Sequence, residues 1–359
     1  MKIMYDYQAF TFQKVGGVSR YFCEIIRNLP DEFEYEVSGI VSNNLYLNEM
    51  LKKKSFNFFP NNTIKGKDRI IEIPNKIDSI YKCCKVQYDI FHPTYYDPYF
   101  LKYNKKPFIL TIHDMIHEKF AEYIPKEKSI TGFKKELAYK ANHIIAVSNN
   151  TKNDILHYYE KINPDKVSVI YHGNSLFKVG KSEISFQYNY ILYTGERTRY
   201  KNFKLLINAI SDLLIKYDLH LVCTGSKFTA DEYEIFMNEK ISSRVHNVYV
   251  KDSEMFSLYN QAVAFVFPSL YEGFGIPILE AFASGCPAII SNSSSLPEIA
   301  GNAAMYFNPI EIDDIRNSIE NVITNSNLRK ILIEKGYERV KDFNWSKASL
   351  ETSKIYKSI

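Results

Sequence analysis

The sequence predicts an α/β protein with doubly wound parallel sheets. Short, almost continuously apolar runs bounded by Gly, Ser or Pro alternate with segments of helical periodicity along most of the chain. The apolar fraction of 45% and the charged fraction of 24% are those of a globular protein, which excludes a disordered chain, a collagen and a coiled coil. A length of 359 residues predicts about two domains.

Seven apolar runs are predicted to form buried strands, at residues 107–114, 143–148, 167–173, 188–195, 220–225, 263–269 and 287–291. Runs of this kind are typical of a parallel sheet that is covered on both faces. Two of the intervening segments, 17–29 and 201–217, place apolar side chains at helical spacing. Alternating strands and helices predict doubly wound sheets. A polar stretch without clear periodicity, 174–189, is the predicted boundary between two domains, 1–175 and 176–343.

Several classes of protein are excluded by composition. The five cysteines include no C-x-x-C pair, which argues against a zinc site and a secreted disulfide framework. Asp6 and Gln8 interrupt the apolar N-terminus, so no signal peptide is predicted. No apolar run approaches 18 residues. We therefore expect a cytoplasmic protein.

The sharpest motif is SLYEGFGIPILEAFASGCP, residues 269–287. Pro277 suits the first turn of a helix, because its missing N–H group would have no partner there. Gly273 and Gly275 let the backbone approach a ligand, and the helix directs free N–H groups towards it. Glu272 lies before this helix and Glu280 about one turn inside it. The motif predicts a site for a ligand with a phosphate and vicinal diols; the alternative is a helix start with two solvated glutamates.

Four segments together resemble a known family. They are QKVGGVSRYF (13–22), TIHDMIH (111–117), YTGERTRYKNF (193–203) and YEGFGIPILEAFASGCPAIISNSSSLPEIAG (271–301). In this order they resemble the retaining glycosyltransferases of family 4, and the YKNF variant resembles bacterial mannosyltransferases. The resemblance implies the GT-B fold, two Rossmann-like domains facing a central cleft. It also implies that the first domain binds the acceptor, the second binds the donor, and a C-terminal helix, 344–359, returns to the first.

The resemblance also implies roles for individual residues. Arg197 and Lys201 are expected to hold the donor diphosphate, although Arg199 lies near enough to take the place of Arg197, and a solvated basic turn is the alternative reading. Glu272 and His113 are expected to contact the transferred sugar. The resemblance implies further donor-binding residues: Gly16, Gly17, Gly195, Gly273, Phe274, Gly275 and Glu280. Of these, Glu280 is expected to bind the ribose.

No metal or cofactor is expected. His113 and His117 are four residues apart, but the H-E-x-x-H pattern of a zinc helix is absent. The sequence also contains no D-x-D triplet, which the other large glycosyltransferase fold uses to hold a metal, and no G-x-G-x-x-G of a nicotinamide site. His92 either lines the same cleft or is a satisfied structural histidine.

We therefore expect a metal-independent retaining glycosyltransferase that moves a hexose from a nucleotide-diphosphate sugar to a glycan or lipid-linked acceptor in cell-surface polysaccharide biosynthesis. GDP-mannose is the first donor expected and a UDP-sugar the second. The alternatives are a catalytically inactive sugar-nucleotide-binding subunit of a polysaccharide assembly complex and a GT-B nucleotide-sugar epimerase.

Positive charge is concentrated in residues 51–106, where 12 basic and 5 acidic side chains are interleaved with aromatic ones. This pattern predicts peripheral contact with an anionic membrane or a lipid-pyrophosphate carrier. The alternative is a solvated charged face. Nucleic acid is not expected, because the excess is local and no recognition motif accompanies it.

Overall fold

The computed structural model describes residues 1–52, 67–121, 128–176 and 184–359. The chain divides into two compact units. Unit 1 comprises residues 1–173 and 345–359, and unit 2 comprises residues 174–344. The boundaries inferred from the sequence, after residues 175 and 343, lie one or two residues from these divisions.

Unit 1 alternates short strands and helices. Its strands are β1 (Lys2–Tyr5), β2 (Glu34–Val37), β3 (Ile90–His92), β4 (Ile109–Ile112), β5 (His143–Ala146) and β6 (Val167–Val169). Its helices before the boundary are α1 (Gln8–Phe12), α2 (Gly17–Arg27), α3 (Leu45–Met50), α4 (Lys67–Lys85), α5 (Ile116–Lys119), α6 (Lys128–Lys140) and α7 (Asn149–Tyr158), with short 3₁₀ turns at Pro98–Lys102 and Pro164–Lys166.

The strands of unit 1 form two parallel three-stranded sheets, in the orders β2-β1-β3 and β4-β5-β6. A parallel bridge between Phe91 and Phe108 connects β3 to the start of β4. The strand order reverses at β1, which lies between β2 and β3, and Tyr5 at its end is in register with His92. The loops after β1 and β3 therefore emerge side by side, at the position where open α/β sheets bind ligands.

Unit 2 repeats the alternation. Its strands are β7 (Tyr190–Tyr193), β8 (His220–Cys223), β9 (Val245–Asn247), β10 (Ala264–Phe267), β11 (Ala288–Ser291) and β12 (Ala304–Phe307). Its helices are α8 (Phe203–Lys216), α9 (Ala230–Asn238), α10 (Asp252–Gln261), α11 (Ile276–Ala283), α12 (Leu296–Ala300), α13 (Ile312–Thr324) and α14 (Ser326–Val340), with a 3₁₀ turn at Arg199–Lys201. The final helix, α15 (Trp345–Lys357), belongs to unit 1.

The sheet of unit 2 is parallel and has the order β12-β11-β10-β7-β8-β9. Numbered within the unit, this is the 3-2-1-4-5-6 order of a dinucleotide-binding fold. The order reverses between β7 and β10, so the loops that follow these two strands share the ligand-binding crevice of the unit.

The predicted α/β architecture is confirmed. Each of the seven predicted apolar runs contains a strand, and the two predicted amphipathic segments are α2 and α8. Leu206, Ile207 and Ile210 of α8 are fully buried in the core of unit 2. In unit 1, Tyr356 of α15 is fully buried in the same core as Tyr5 of β1, and Ser349 Oγ of α15 donates to the Ile25 carbonyl of α2.

Candidate functional site

Two loops of unit 2 form the candidate donor site. The first, residues 194–202, follows β7, and the second, residues 268–275, follows β10. The Leu270 N–H group donates to the Tyr200 carbonyl at 2.8 Å, which joins the loops through their backbones. Gly195 and Gly275 have φ values of 103° and 105°, a region that favours glycine.

An ion pair also joins these loops. Lys201 Nζ lies 2.6 Å from Glu272 Oε1, and the two side chains are 17% and 12% exposed. The Glu272 N–H group donates to Ser294 Oγ at 2.9 Å, and Ser295 Oγ donates to the Glu272 and Phe274 carbonyls at 3.0 and 2.9 Å. Ser294 and Ser295, in the turn before α12, therefore fix the backbone at Glu272. The Glu272 carboxylate holds the ammonium group of Lys201.

Helix α11 begins immediately after the glycines of the second loop. Gly275 is its N-cap residue, no side chain caps it, and Pro277 lies in its first turn. A Cβ atom at Gly275 would lie 2.9 Å from Leu296 Cδ2, so the tight approach of the loop to α12 requires glycine here. The free backbone N–H groups of this helix start suit an anionic ligand.

Glu280 in α11 is connected to the first loop through two hydroxyl groups. Tyr259 Oη donates to Glu280 Oε2 at 3.1 Å and is 3.1 Å from Thr194 Oγ1. Burial is the main cause that raises the pKa of Tyr259 well above its usual value, so its phenol stays protonated. The structure thus orients Glu280 through Tyr259 towards the end of β7.

Arg197 is held within unit 2 by partners outside the two loops. Its Nε lies 2.7 Å from Glu232 Oε1, and its Nη2 donates to the Ser226 and Lys227 carbonyls at 2.5 and 3.0 Å. The guanidinium lies 4.7 Å from the centre of the Phe228 ring, and the side chain is 3% exposed. Arg199, in the turn before Lys201, is exposed.

In unit 1, Gly16 and Gly17 lie at the start of α2. Gly17 is the first helical residue, and a Cβ atom at Gly16 would overlap the side chain of Gln13. Gln13 Oε1 accepts from the Ser19 N–H group at 2.9 Å, and Ser19 Oγ donates to the Gly16 carbonyl at 3.1 Å. Glycine at position 16 therefore lets Gln13 cap one N–H group of the helix.

His113 follows β4 and is held in a ring cluster. Its ring centre is 5.1 Å from that of Tyr21, nearly perpendicular to it, and 6.1 Å from that of His172. Burial lowers the pKa of His113 to about 4. Its buried Nε2 has no hydrogen-bond partner among the described residues. The neutral imidazole is therefore available to hydrogen-bond to a ligand, and the described part of the chain groups no set of metal-ligating side chains around it.

His92 is a structural histidine. It is fully buried, with Nδ1 2.7 Å from Tyr356 Oη and Nε2 2.9 Å from Thr111 Oγ1. Tyr356 Oη is in turn 2.9 Å from Tyr5 Oη, so this network connects β1, β3 and β4 with α15. Burial lowers the pKa of His92 to about 3, which keeps it neutral.

The structure brings together the predicted residues of unit 2 that flank β7 and β10. These are Gly195, Lys201, Glu272, Gly273, Phe274, Gly275 and Glu280. Arg197 belongs to the same loop but pairs with Glu232, and His113, Gly16 and Gly17 belong to unit 1. Sequence reasoning missed Thr194, Tyr259 and Glu232. Thr194 alone had a visible signal, because it directly precedes Gly195 at the end of a predicted strand.

Neither a metal-binding cluster nor a membrane-spanning helix is present among the described residues. In ranges 1–52, 67–121, 128–176 and 184–359, no three His, Cys, Asp or Glu side chains are grouped so that they could hold a metal ion. Across the same described ranges, no helix combines the length and apolar character needed to cross a bilayer.

Comparison with known proteins identifies the class that this fold and site define. Residues 15–176 match the sequence model of "Glycosyltransferase Family 4" and residues 177–339 that of "Glycosyl transferases group 1". The protein is a glycosyltransferase with the GT-B fold. More particularly, the two matches together cover nearly the whole chain, which belongs to glycosyltransferase family 4 as its motifs predict.

Two relatives are mannosyltransferases. The O-antigen chain mannosyltransferase B of Escherichia coli is 29% identical over 287 residues, covering 75% of this chain and 74% of that protein. The O-antigen chain mannosyltransferase RfbU of Salmonella typhimurium is 28% identical over 214 residues, covering 59% of this chain and 60% of that protein.

Solved structures show the same fold at lower identity. A sucrose-phosphate synthase from Thermosynechococcus elongatus aligns with a TM-score of 0.79 at 17% identity, covering 99% of this chain and 98% of that chain. The Anabaena protein Alr3699/HepE, in complex with UDP-glucose, aligns with a TM-score of 0.76 at 16% identity over 100% of both chains.

Proposed function

We propose that this glycosyltransferase is a retaining, metal-independent enzyme that transfers mannose from GDP-mannose to a glycan or lipid-linked acceptor in cell-surface polysaccharide biosynthesis. The observation that carries the proposal is the Lys201–Glu272 pair, 2.6 Å long, where the strand order of unit 2 reverses. It places a cation, a carboxylate and the start of α11 beside one another.

Charge complementarity supports a diphosphate at this position. The Lys201 ammonium and the free N–H groups of α11 both favour negative charge, and charge-assisted hydrogen bonds contribute about 1.5–3 kcal/mol each. The same groups stabilise the negative charge that builds on the nucleotide as it leaves. In this proposal a cation from solution is not needed to neutralise the diphosphate.

We assign the two carboxylates, Glu272 and Glu280, to different parts of the donor, the transferred sugar and the ribose. Glu272 is 9% exposed and its backbone is fixed by Ser294 and Ser295, so it is suited to contact the transferred sugar at a defined position. Glu280, one turn into α11, is suited to accept from the two ribose hydroxyls. The neutral His113 is proposed to contact the transferred sugar, as the family resemblance implies.

The identity of the donor is proposed from the relatives. The names of two relatives describe mannosyltransferases of O-antigen chains, which favours GDP-mannose, whereas a structural neighbour binds UDP-glucose, which keeps a UDP-sugar as the alternative. A catalytically inactive binding subunit is less favoured, because such a subunit has no need for the fixed carboxylate of Glu272. We propose retention of configuration from the family resemblance, with departure and attack on the same face of the sugar.

The test compares two lysine variants. Lys201→Met should weaken GDP binding by about 10- to 100-fold, the equivalent of one charge-assisted bond. Lys204→Met, which removes an exposed lysine three residues away on α8, should leave GDP binding unchanged. Both affinities are measured by isothermal titration, and transfer is measured as nucleotide release from GDP-mannose and from UDP-sugars with excess EDTA present.

Two outcomes would contradict the proposal. Equal GDP and UDP affinities in the two lysine variants would show that the pair is not a diphosphate site. A complete loss of transfer in EDTA that Mn²⁺ restores would show that the reaction depends on a metal.

We further propose that unit 1 makes peripheral contact with an anionic membrane. Helix α4 exposes a stripe of large apolar side chains at helical spacing: Ile70, Ile73, Ile77 and Tyr81 are each more than half exposed. Lys52, before α4 in the chain, is exposed as well. Of the basic and aromatic residues that predicted this contact, Lys53, Lys54, Phe56, Phe58 and Phe59 lie outside the described residues.

Co-sedimentation with liposomes that contain anionic lipid tests this contact. Changing Lys52, Lys53 and Lys54 together to Ser should reduce binding at low salt, since each lysine near an anionic surface contributes about 1 kcal/mol. Binding should also fade as salt is raised. A triple change of the exposed Lys204, Lys240 and Lys335 of unit 2 to Ser is the matched control. Equal binding by all three proteins would refute contact through this region.

A further inference from the structure

A cavity of about 260 Å³ lies within unit 1, and nothing above assigns a role to it. It is lined by residues that follow β1 and β3, among them Tyr7, Phe12 and Tyr95, and by side chains of α4 and α6, among them Glu72 and Phe133. Strands β1 and β3 are neighbours, and the strand order of the sheet reverses at β1. The cavity therefore occupies the position in this sheet that corresponds to the donor crevice in unit 2.

One polar group in the lining of this cavity is a hydroxyl without a hydrogen-bond partner among the described residues. Tyr7 is 2% exposed, and its Oη has no hydrogen bond to any described residue. Burial, together with the nearby carboxylates of Asp6, Asp97 and Glu72, raises the pKa of Tyr7, so the phenol keeps its proton. A buried hydroxyl is normally hydrogen-bonded, and an orphaned one that lines a cavity is available to a ligand.

A carboxylate adds hydrogen-bond acceptors. Glu72 forms no hydrogen bond or ion pair with the residues that the structure describes. Asp97, on the opposite side, is already engaged: its Oδ2 lies 2.7 Å from Lys76 Nζ and its Oδ1 accepts from the Tyr99 N–H group at 3.0 Å. Glu72 is therefore the acceptor that the cavity offers to a ligand.

Aromatic rings supply the apolar part of the lining. The Phe12 and Tyr95 ring centres are 4.5 Å apart, and Phe12 is 47% exposed. Phe133, from α6, is 39% exposed. Exposed aromatic side chains that are grouped in one patch mark binding surfaces more often than single ones do, and a few polar groups among aromatic rings are typical of small-molecule sites.

The chemistry of the lining selects the ligand. A pyranose ring has apolar C–H faces that pack on aromatic rings and hydroxyl groups at its edges that donate to a carboxylate and accept from a phenol. The carboxylates of Glu72 and Asp97, which line the cavity, repel phosphate and uronate groups. We propose that this cavity binds a neutral hexose residue of the acceptor glycan. The proposal rests on the proposed function, because it assigns the acceptor of that reaction.

The test measures binding of neutral glycosides to the full chain. The probes are the methyl α-glycosides of mannose, glucose, galactose and N-acetylglucosamine, observed by saturation-transfer NMR and titrated for affinity. Tyr7→Phe and Glu72→Gln should each weaken binding of the best probe by about 5- to 10-fold, the loss of one hydrogen bond. Tyr35→Phe, on the edge strand β2, and Glu136→Gln, on the surface of α6, are the matched controls and should bind as the wild type does.

The selectivity for neutral ligands is tested with three further probes. Mannose 6-phosphate and glucuronic acid should bind at least about 10-fold more weakly than the neutral glycosides, because a charge is repelled where a hydroxyl is accepted. Choline should not compete with them. Tighter binding of choline than of any sugar would overturn the proposal in favour of a cation site.

Folding and the donor site are controlled separately. Removing the unpaired hydroxyl in Tyr7→Phe should not lower the unfolding temperature, so a loss of binding in this variant reports on the site. GDP affinity, measured in parallel, should be the same in all variants. If no neutral glycoside binds, or if Tyr7→Phe and Glu72→Gln bind like their controls while GDP still binds, the cavity proposal fails and the proposed function stands. If GDP and UDP fail to bind, the proposed function fails on its own evidence.

Discussion

The two units place different chemistry at the carboxyl ends of their central strands. In unit 2 the polar groups there are ions in pairs, Lys201 with Glu272 and Arg197 with Glu232. In unit 1 the histidines and the phenol at these positions are neutral: burial lowers the pKa values of His92 and His113 and keeps the Tyr7 phenol protonated. One fold therefore carries a site suited to a charged ligand and a cavity suited to a neutral one.

The histidines of unit 1 differ from the Lys201–Glu272 pair of unit 2 in how deeply they are buried. Lys201 and Glu272 are 17% and 12% exposed, so water reaches both ions, and a diphosphate can replace Glu272 as the partner of Lys201. His92 is completely buried and bonded on both ring nitrogens, so protonation would place an uncompensated charge in the core. The charge state of each group is set by what its surroundings tolerate.

The largest expected difference between the two units is the loss of stability in acid, which should be greater in unit 1. The imidazoles of His92, His113 and His172 have pKa values lowered by burial, to about 3 and about 4 for the first two. Between pH 6.5 and about 4 the unfolded chain binds protons at these groups and folded unit 1 does not. Unit 1 should lose on the order of 1.4 kcal/mol of unfolding free energy per pH unit for each histidine as the pH falls through this range.

Hydrogen exchange followed by mass spectrometry reports on each unit separately. Protection in unit 1 should fall before protection in unit 2, whose His220 and His246 are only partly buried. His172→Phe should flatten the pH dependence of unit 1 by one histidine, and the exposed His157→Phe should not. Equal loss of protection in both units over this pH range would contradict the comparison.

Variants of the two arginines in the first loop, Arg197 and Arg199, test whether the ion pairs of unit 2 bind the ligand or stabilise the fold. Arg197→Met removes the ion pair with Glu232, whose side chain is 14% exposed and keeps its bond from the Thr229 N–H group, and should destabilise unit 2 by about 1.5–3 kcal/mol. Arg199→Met removes an exposed side chain and should leave the unfolding temperature unchanged. Thermal unfolding and GDP titration of both variants distinguish a structural arginine from one that binds the diphosphate.

Either of two results would show that an arginine of this loop binds the diphosphate. If Arg197→Met unfolds at the wild-type temperature but loses GDP affinity, Arg197 leaves Glu232 to bind the diphosphate, as the family resemblance implies. If Arg199→Met alone loses GDP affinity, the ligand is Arg199.

The sequence predicted seven of the twelve strands in the described residues, those that lie in longer apolar runs, and missed β1, β2, β3, β9 and β12. ILTI of β4 and AIIS of β11 are fully buried, and their apolar runs are easily recognised. β2 has the sequence EYEV and lies at a sheet edge with partly exposed side chains, so its polar residues conceal it. β9, with the sequence VHN, is three residues long and also lies at an edge. Apolar runs report burial, and the side chains of β2 and β9 are partly exposed.

The site was predictable where the residues are close in the chain. The relative positions of the glycines and glutamates in residues 269–287 follow from the local sequence, because one loop and one helix hold them. The pairing of Lys201 with Glu272 spans 71 residues, and that of Arg197 with Glu232 spans 35, so only the folded sheet determines which cation meets which carboxylate. Tyr7 could have been selected as a residue just after a strand, but β1 itself was not predicted.

Helix α15 sets the order in which this chain can complete its structure during synthesis. Trp345 and Tyr356 complete the core of unit 1, yet they leave the ribosome only after residues 174–344 have been translated. At roughly 5–20 residues per second, unit 1 waits on the order of 10 to 30 s with the surface beneath α15 uncovered. All residues of unit 2 are translated before α15 is complete. The N-terminal unit of this protein is therefore the second to finish folding, and a nascent-chain chaperone would find its apolar surface there.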